Sequence, residues 1–237
     1  MPRDNPRPNE YGVRAKDRTG PGTPIDSRLV HQLETITMKI TELTAFYKTE
    51  FKRATEVWHK HGLEDFEWSA MSPAYDDQIV PIKIGMHLHY ANYQVWHYED
   101  YCRSGIPEQI VRCKPQIDKY NQLRNDLIEK VDEYLFSEQT GTGQYNTETC
   151  GSVIDRISIL ALKVYHWNEL VVGGKKKFEP KLIVANDQYD FLTRELDNLI
   201  RGMQSGQRRM RLFRQLKMYN SAETNPLHQA APPESAP

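Results

Sequence analysis

Apolar residues recur along most of this chain at alternating steps of three and four. That is the period of a helix burying one stripe, and the step of two that marks a half-buried strand is almost nowhere sustained. Leu29, Leu33, Ile36, Ile40, Leu43 and Tyr47 form such a seam in a first helix that Asp26 or Ser27 can cap and Gly62 should end. The stretch LEDFEWSAMSPAYDDQIVP holds two prolines and many turn formers, and reads as a loop. A second helix is predicted over residues 81–103, with Pro81 in its first turn and Ser104 and Gly105 as its stop. A third covers residues 107–136, with a kink expected at Pro115, where proline removes a donor and crowds the preceding turn. The fourth begins near Thr147 or Thr149 and ends near Leu170, ahead of Gly173 and Gly174. The fifth runs over residues 186–219 on Tyr189, Leu192, Leu196, Leu199 and Met203, and residues 182–185 are the one candidate for a short strand.

The expected fold is therefore all-α, a single helical bundle of about five long helices with disordered termini. Residues 26–219 make one folded domain, because residues 1–25 and 220–237 are too polar and too rich in proline to offset the entropy of ordering. The 38% of hydrophobic residues and net charge of -1 exclude a global signature of nucleic-acid binding. Three cysteines, Cys102, Cys113 and Cys150, stand at wide spacing without a C-x-x-C pair, which fits a reducing compartment. No run of roughly 18 apolar residues could span a bilayer and no signal-like segment opens the chain, so a cytoplasmic location is expected. A homo-oligomer stays open.

Three helices carry polar stripes that ordinary solvent cover does not explain. On the second helix His89, Asn92, Tyr93, Trp96 and Asp100 share one side, opposite Ile84, Leu88, Ala91, Val95 and Cys102. The third places Asp118, Asn121, Gln122, Asn125, Glu129 and Asp132 opposite Leu123, Leu127 and Val131, and its mid-helix asparagines are poor helix formers. The fourth offers Glu148, Ser152, Asp155, Arg156, Lys163 and His166. If these stripes converged, Asp100, Asp118 and Glu129 would suit Mg²⁺ or Mn²⁺ as a cofactor through oxygen ligands. Arg156 and Lys163 would meet a phosphate, Asn92, Asn121 and Asn125 would bind the ligand, and Trp96 would stack on a base or sugar. His89 and Asp155 are then the candidate catalytic groups, His89 as acid or base. A plain solvated face, a structural ion pair at Asp155 and Arg156, and capping by Thr147 or Ser152 account for the same residues without function.

Other signals carry less. His59-x-His61 and His87-x-His89 resemble metal pairs, yet residues two apart point about 200° apart on a helix, so neither pair chelates by itself. Glu129 and Asp132 have the E-x-x-D spacing of helical pyrophosphohydrolases, without the partner E-x-x-E. The basic stretch RGMQSGQRRMRLFRQLKMY reads as a terminal helix whose arginines meet its own dipole and neighbouring carboxylates, before it reads as a membrane or nucleic-acid surface.

The runs LHYANYQVWHYEDYCR, QIDKYNQLRNDLIEKVDEYL and NTETCGSVIDRISILALKVYH resemble the bacterial family catalogued as domain of unknown function 4254, over about residues 88–166. The resemblance implies a helical fold and no assigned activity. Its pattern falls on His89, Asn92, Trp96, His97, Glu99 and Asp100, on Asp118, Asn121, Gln122, Arg124, Asn125, Asp126 and Glu129, and on Glu148, Thr149, Gly151, Ser152, Asp155, Arg156 and Lys163. The chain departs from it at Pro115, where a basic residue is usual, and at Cys150, where proline is. Some members lie beside cell-envelope glycan genes.

Two readings of function follow, and neither settles whether the protein is an enzyme. In one, it binds or processes a phosphorylated small molecule, a nucleotide or nucleotide sugar, with a divalent metal. In the other, it is a non-catalytic helical scaffold or partner protein linked to cell-envelope glycan biosynthesis, and its stripes are buried polar locks or contact surface.

Overall fold

The structure is a computed structural model that describes residues 40–61 and 67–216. The expected helix start at Asp26 or Ser27 and the expected disorder of residues 1–25 and 220–237 lie outside the described residues. Five long helices dominate: α1 (Leu43–His61), α2 (Val80–Cys102), α3 (Pro107–Ser137), α4 (Cys150–Val172) and α5 (Glu179–Gln204). A 3₁₀ turn, Ile40–Glu42, leads into α1, and the predicted loop before α2 folds into a short helix, Trp68–Met71, and a second 3₁₀ turn, Ser72–Tyr75. All described residues belong to the compact unit Thr35–Pro237.

Side-chain contacts give the directions of the helices. Tyr47 reaches the carbonyl of Pro81, Thr55 meets His89 and His59 meets His97, so α1 and α2 run parallel. His89 with Ser158 and His97 with His166 set α4 parallel to both. Arg124 on Asp155 with Asp132 on Gly151, and Asn186 on Lys52 with Asp197 on Thr44, turn α3 and α5 the other way. Three helices therefore end together at one end of the bundle, and two return.

The apolar stripes meet where the sequence placed them. Tyr47, Phe51, Trp58, Ile82, Met86, Leu88, Leu135, Ile154 and Tyr189 are fully buried. Gly85 lets α1 and α2 approach, since a Cβ there would lie 2.2 Å from the Tyr47 hydroxyl oxygen. Glu50 pins the short segment before α2, taking a hydrogen bond from the Tyr75 hydroxyl at 2.9 Å and one from Arg53 Nε at 2.7 Å.

Helix α3 runs on through the exposed Pro115 as expected, losing one backbone donor without ending. The structure corrects the prediction in two other places. Residues 182–185 are helical, because α5 begins at Glu179 with Pro180 in its first turn. The same helix stops at Gln204 and not near Tyr219: Gly206 takes φ +74°, and the Gln207 N–H caps the Gly202 carbonyl at 2.9 Å. The basic stretch that follows runs back as extended chain. In it β2 (Arg208–Arg209) pairs in parallel with β1 (Gln144–Tyr145), Met210 is buried, and Arg214 bonds Glu129 and Glu133. No helix among the described residues is long and apolar enough to cross a membrane.

Candidate metal centre

A chain of hydrogen bonds crosses the core through α1, α2, α4 and α3. Thr55 in α1 spends its one hydroxyl hydrogen on the carbonyl of Phe51, at 2.8 Å, so its oxygen can only accept from His89 Nε2, at 3.0 Å. That fixes the tautomer of His89 and leaves Nδ1 to accept from Ser158 Oγ at 2.8 Å. Ser158 accepts in turn from Asn92 Nδ2 at 3.0 Å, whose other hydrogen goes to Asp155 Oδ1 at 2.9 Å. Arg124 closes the line with Nε on Oδ1 at 2.7 Å and Nη2 on Oδ2 at 2.5 Å. His89 is wholly buried, stacked on Phe51 at 4.5 Å, and burial pushes its imidazole down to about 3. No buried polar side-chain atom in the line lacks a partner.

One turn beyond Thr55, a second polar group is built on the opposite principle. His59, in the last turn of α1, donates Nδ1–H to the carbonyl of Thr55 at 2.6 Å, which leaves Nε2 as a bare lone pair. His97 of α2 and His166 of α4 face it, and a ring nitrogen of each of the three lies within 4.8 Å of one from each of the others. The Nε2 atoms of His59, His97 and His166 are all buried and none has a hydrogen-bond partner. Burying an unpaired nitrogen is costly, and here three occur side by side.

The rings are held by their neighbours. Tyr165 stacks on His59 at 4.0 Å, Tyr93 lies edge-on to it at 5.0 Å, and Trp96 lies parallel to His166 at 4.8 Å. Burial and the other imidazoles depress His97 and His166 to about 4, and burial lowers His59. All three are neutral at pH 7, the form that ligates metal. Helices α1, α2 and α4 all point their C-terminal, partially negative ends this way, which favours a cation among them.

The family model described as protein of unknown function (DUF4254) matches residues 83–212, more than half of the chain. The chain belongs to the DUF4254 family. No curated protein and no solved structure matches it. The span matched by DUF4254 contains His97, His166 and the whole polar line from His89 to Arg124, whereas His59 lies upstream of it.

Against this centre the residues singled out in the DUF4254 sequence sort into three groups. His89, Asn92 and Asp155 do come together, as members of the saturated line: His89 has no access to solvent for acid–base work, and both oxygens of Asp155 are taken by Arg124 and Asn92. Trp96 stands beside the three imidazoles, but its face covers His166. The rest are apart. Asp118 pairs with Lys114 at 2.9 Å, Asp100 with Arg103 at 3.2 Å and Glu129 with Arg214 at 2.9 Å, so the three proposed metal ligands stand in separate ion pairs and form no group. Arg156 holds Glu148, with Nη1 at 2.6 and 2.8 Å from its two oxygens. It and Lys163 border an open groove of about 400 Å³ between α4 and α5, beside Phe191 and Leu192. Asn121 and Asn125 lie half-buried on α3, which supplies none of the three imidazoles.

Sequence spacing does not disclose the triad, because no two of its histidines share a helix. His59, His97 and His166 each come from a different helix, and only the parallel packing of α1, α2 and α4 brings them level. The available signal was weaker: each lies in the C-terminal half of a helix, with an aromatic residue next to it in Trp58, Trp96 and Tyr165.

Proposed function

We propose that this DUF4254 protein is a metal-binding helical bundle in which His59, His97 and His166 hold one borderline transition-metal ion, Zn²⁺ foremost. The observation that carries the reading is the convergence of three imidazoles from three helices, a ring nitrogen of each within 4.8 Å of the others and each Nε2 buried without a partner. Imidazole ligands suit Zn²⁺, Co²⁺, Ni²⁺ or Cu²⁺, whereas Mg²⁺ and Mn²⁺ prefer the oxygen ligands that this site lacks. Zn–N bonds of about 2.0–2.1 Å bring nitrogens already within 4.8 Å into place by small side-chain rotations. The bond from His59 to the Thr55 carbonyl is the outer-shell contact that such ligands use to fix their tautomer.

The test is metal binding by the full chain, stripped of metal and titrated with Zn²⁺ in a calorimeter. One ion per chain is expected, with a rise in Tm. At 100 times the dissociation constant, bound Zn²⁺ adds about 2.7 kcal/mol. His97→Ala combined with His166→Ala abolishes both signals while the far-ultraviolet spectrum stays helical. Stoichiometric binding that survives the double substitution would sink the proposal.

A phosphorylated small molecule is a second reading, on a different surface. What favours it is the groove where Lys163 and Arg156 stand beside the exposed ring of Phe191. A thermal-shift panel of nucleotides and nucleotide sugars tests it, and the variant Lys163→Glu should remove any stabilisation.

A further inference from the structure

The metal reading leaves a question of coordination that the surroundings of the three imidazoles answer. Zinc takes four ligands, and a structural site supplies all four from protein while a catalytic one supplies three. Among the described residues only three donors converge. Two carboxylates stand one helical turn beyond them, towards the end of the bundle: Asp100, three residues after His97 on α2, and Glu169, three residues after His166 on α4. Positions three apart share a helix face, so both lie over the imidazoles and outside the group of donors.

The two carboxylates are not equivalent. Asp100 is tied to Arg103 at 3.2 Å, and Arg103 also holds Glu99 at 3.3 Å. Glu169 is exposed and has no ion pair among the described residues. Its charge acts on His59 and Tyr165, and that of Asp100 acts on His166, so each carboxylate borders the triad.

Resting on the metal reading, we propose that the bound ion keeps its fourth position for an exchangeable small ligand, with Glu169 as the rim residue that accepts a hydrogen bond from a water held there. Such a centre is a Lewis acid open to small oxygen- or nitrogen-donor anions, and the class of chemistry it equips is metal-assisted hydrolysis or hydration. Glu169 is a positioning residue. It orients the water and, being negative, repels anions that would replace it. Asp100, tied to Arg103, is not free to take that hydrogen bond.

Co²⁺ makes the position visible, because its d–d absorption reports coordination. The full chain loaded with one Co²⁺ is titrated with sodium azide. The expected result is a saturable change in the visible bands, with azide binding several-fold tighter in Glu169→Gln and unchanged in Asp100→Asn. Bands that do not respond to azide in a chain that binds Co²⁺ would mean a closed, structural site and overturn the proposal. Loss of Co²⁺ from Glu169→Gln would make Glu169 the fourth ligand, with the same consequence. Equal azide affinity in the wild type and Glu169→Gln removes the role of the rim. Failure of Co²⁺ to bind at all would bring down the metal reading itself, and so is distinct from these outcomes.

Discussion

A histidine's chemistry depends on which of its nitrogens still has a lone pair to offer, and this protein uses the residue both ways. In His89 both nitrogens are spent, one on Thr55 and one on Ser158, and the ring is an element of structure. Because His89 is depressed to about 3, the unfolded chain binds a proton that the fold refuses between pH 6.5 and 3. The stability it contributes is present above pH 6.5 and lost as the pH falls through that window. Its share of the slope approaches about 1.4 kcal/mol per pH unit. Urea denaturation at pH 6, 5 and 4 should show a shallower dependence in His89→Asn, and an identical slope would contradict the assignment. At the other end of the line, Asp155→Ala strands the Arg124 guanidinium, whose side chain is 29% exposed. A loss of about 3 kcal/mol is expected, at the low end for a broken buried pair because solvent relieves part of it.

At the scale of the element, the turns of the chain matter as much as the helices. Thr149 caps α4, its hydroxyl oxygen accepting from the Ser152 N–H at 3.2 Å, and Asp132 of α3 reaches the next free donor at Gly151, at 2.5 Å. Thr149→Ala should cost about 1 kcal/mol in chemical denaturation. Gly85→Ala should cost about 1–3 kcal/mol, since the added methyl group displaces Tyr47 from the carbonyl of Pro81 and spreads α1 from α2. A variant as stable as the wild type would show that the contact gives way freely. These two sites illustrate what the sequence disclosed. The start of α4 was legible to within two residues, at Thr147 or Thr149, because capping is local, although Thr149 and not Thr147 or Ser152 proves to be the cap. Gly85 was not, because its need is set by a tyrosine 38 positions away. The overrun of the fifth helix has the same origin: basic residues with apolar ones between them keep a helical step, and nothing nearby announces that Arg214 is wanted by Glu129 and Glu133.

For the molecule as a whole, the bundle was readable from periodicity, and the candidate site only in fragments. The stripes on the second and fourth helices did mark what meets in the core, since Asn92 and Asp155 bond directly. The third helix contributed Arg124, from outside its stripe, and the buried Asp132 beneath Gly151, while its asparagines, Asp118 and Glu129 took no part in the polar line. Amphipathic patterns tell which side of a helix is buried, and they are silent on the axial offset between helices. That offset decides whether His59, His97 and His166 stand level, and it is set by the packing of Tyr47, Phe51 and Trp58 against α2.

The parallel course of α1, α2 and α4 gives the molecule two unlike poles. At one, three separate rods finish side by side with their imidazoles in common. At the other, the returning strand Arg208–Arg209 fastens the chain to Gln144–Tyr145 by backbone bonds and by the Arg209 guanidinium over the Tyr145 ring. An ion shared by three rods works as a rivet, so amide hydrogen exchange should slow on zinc loading at residues 56–60, 94–98 and 163–167, and stay as it was at 144–146. Withdrawing the ion with a chelator would loosen one pole of the molecule and leave the other fastened.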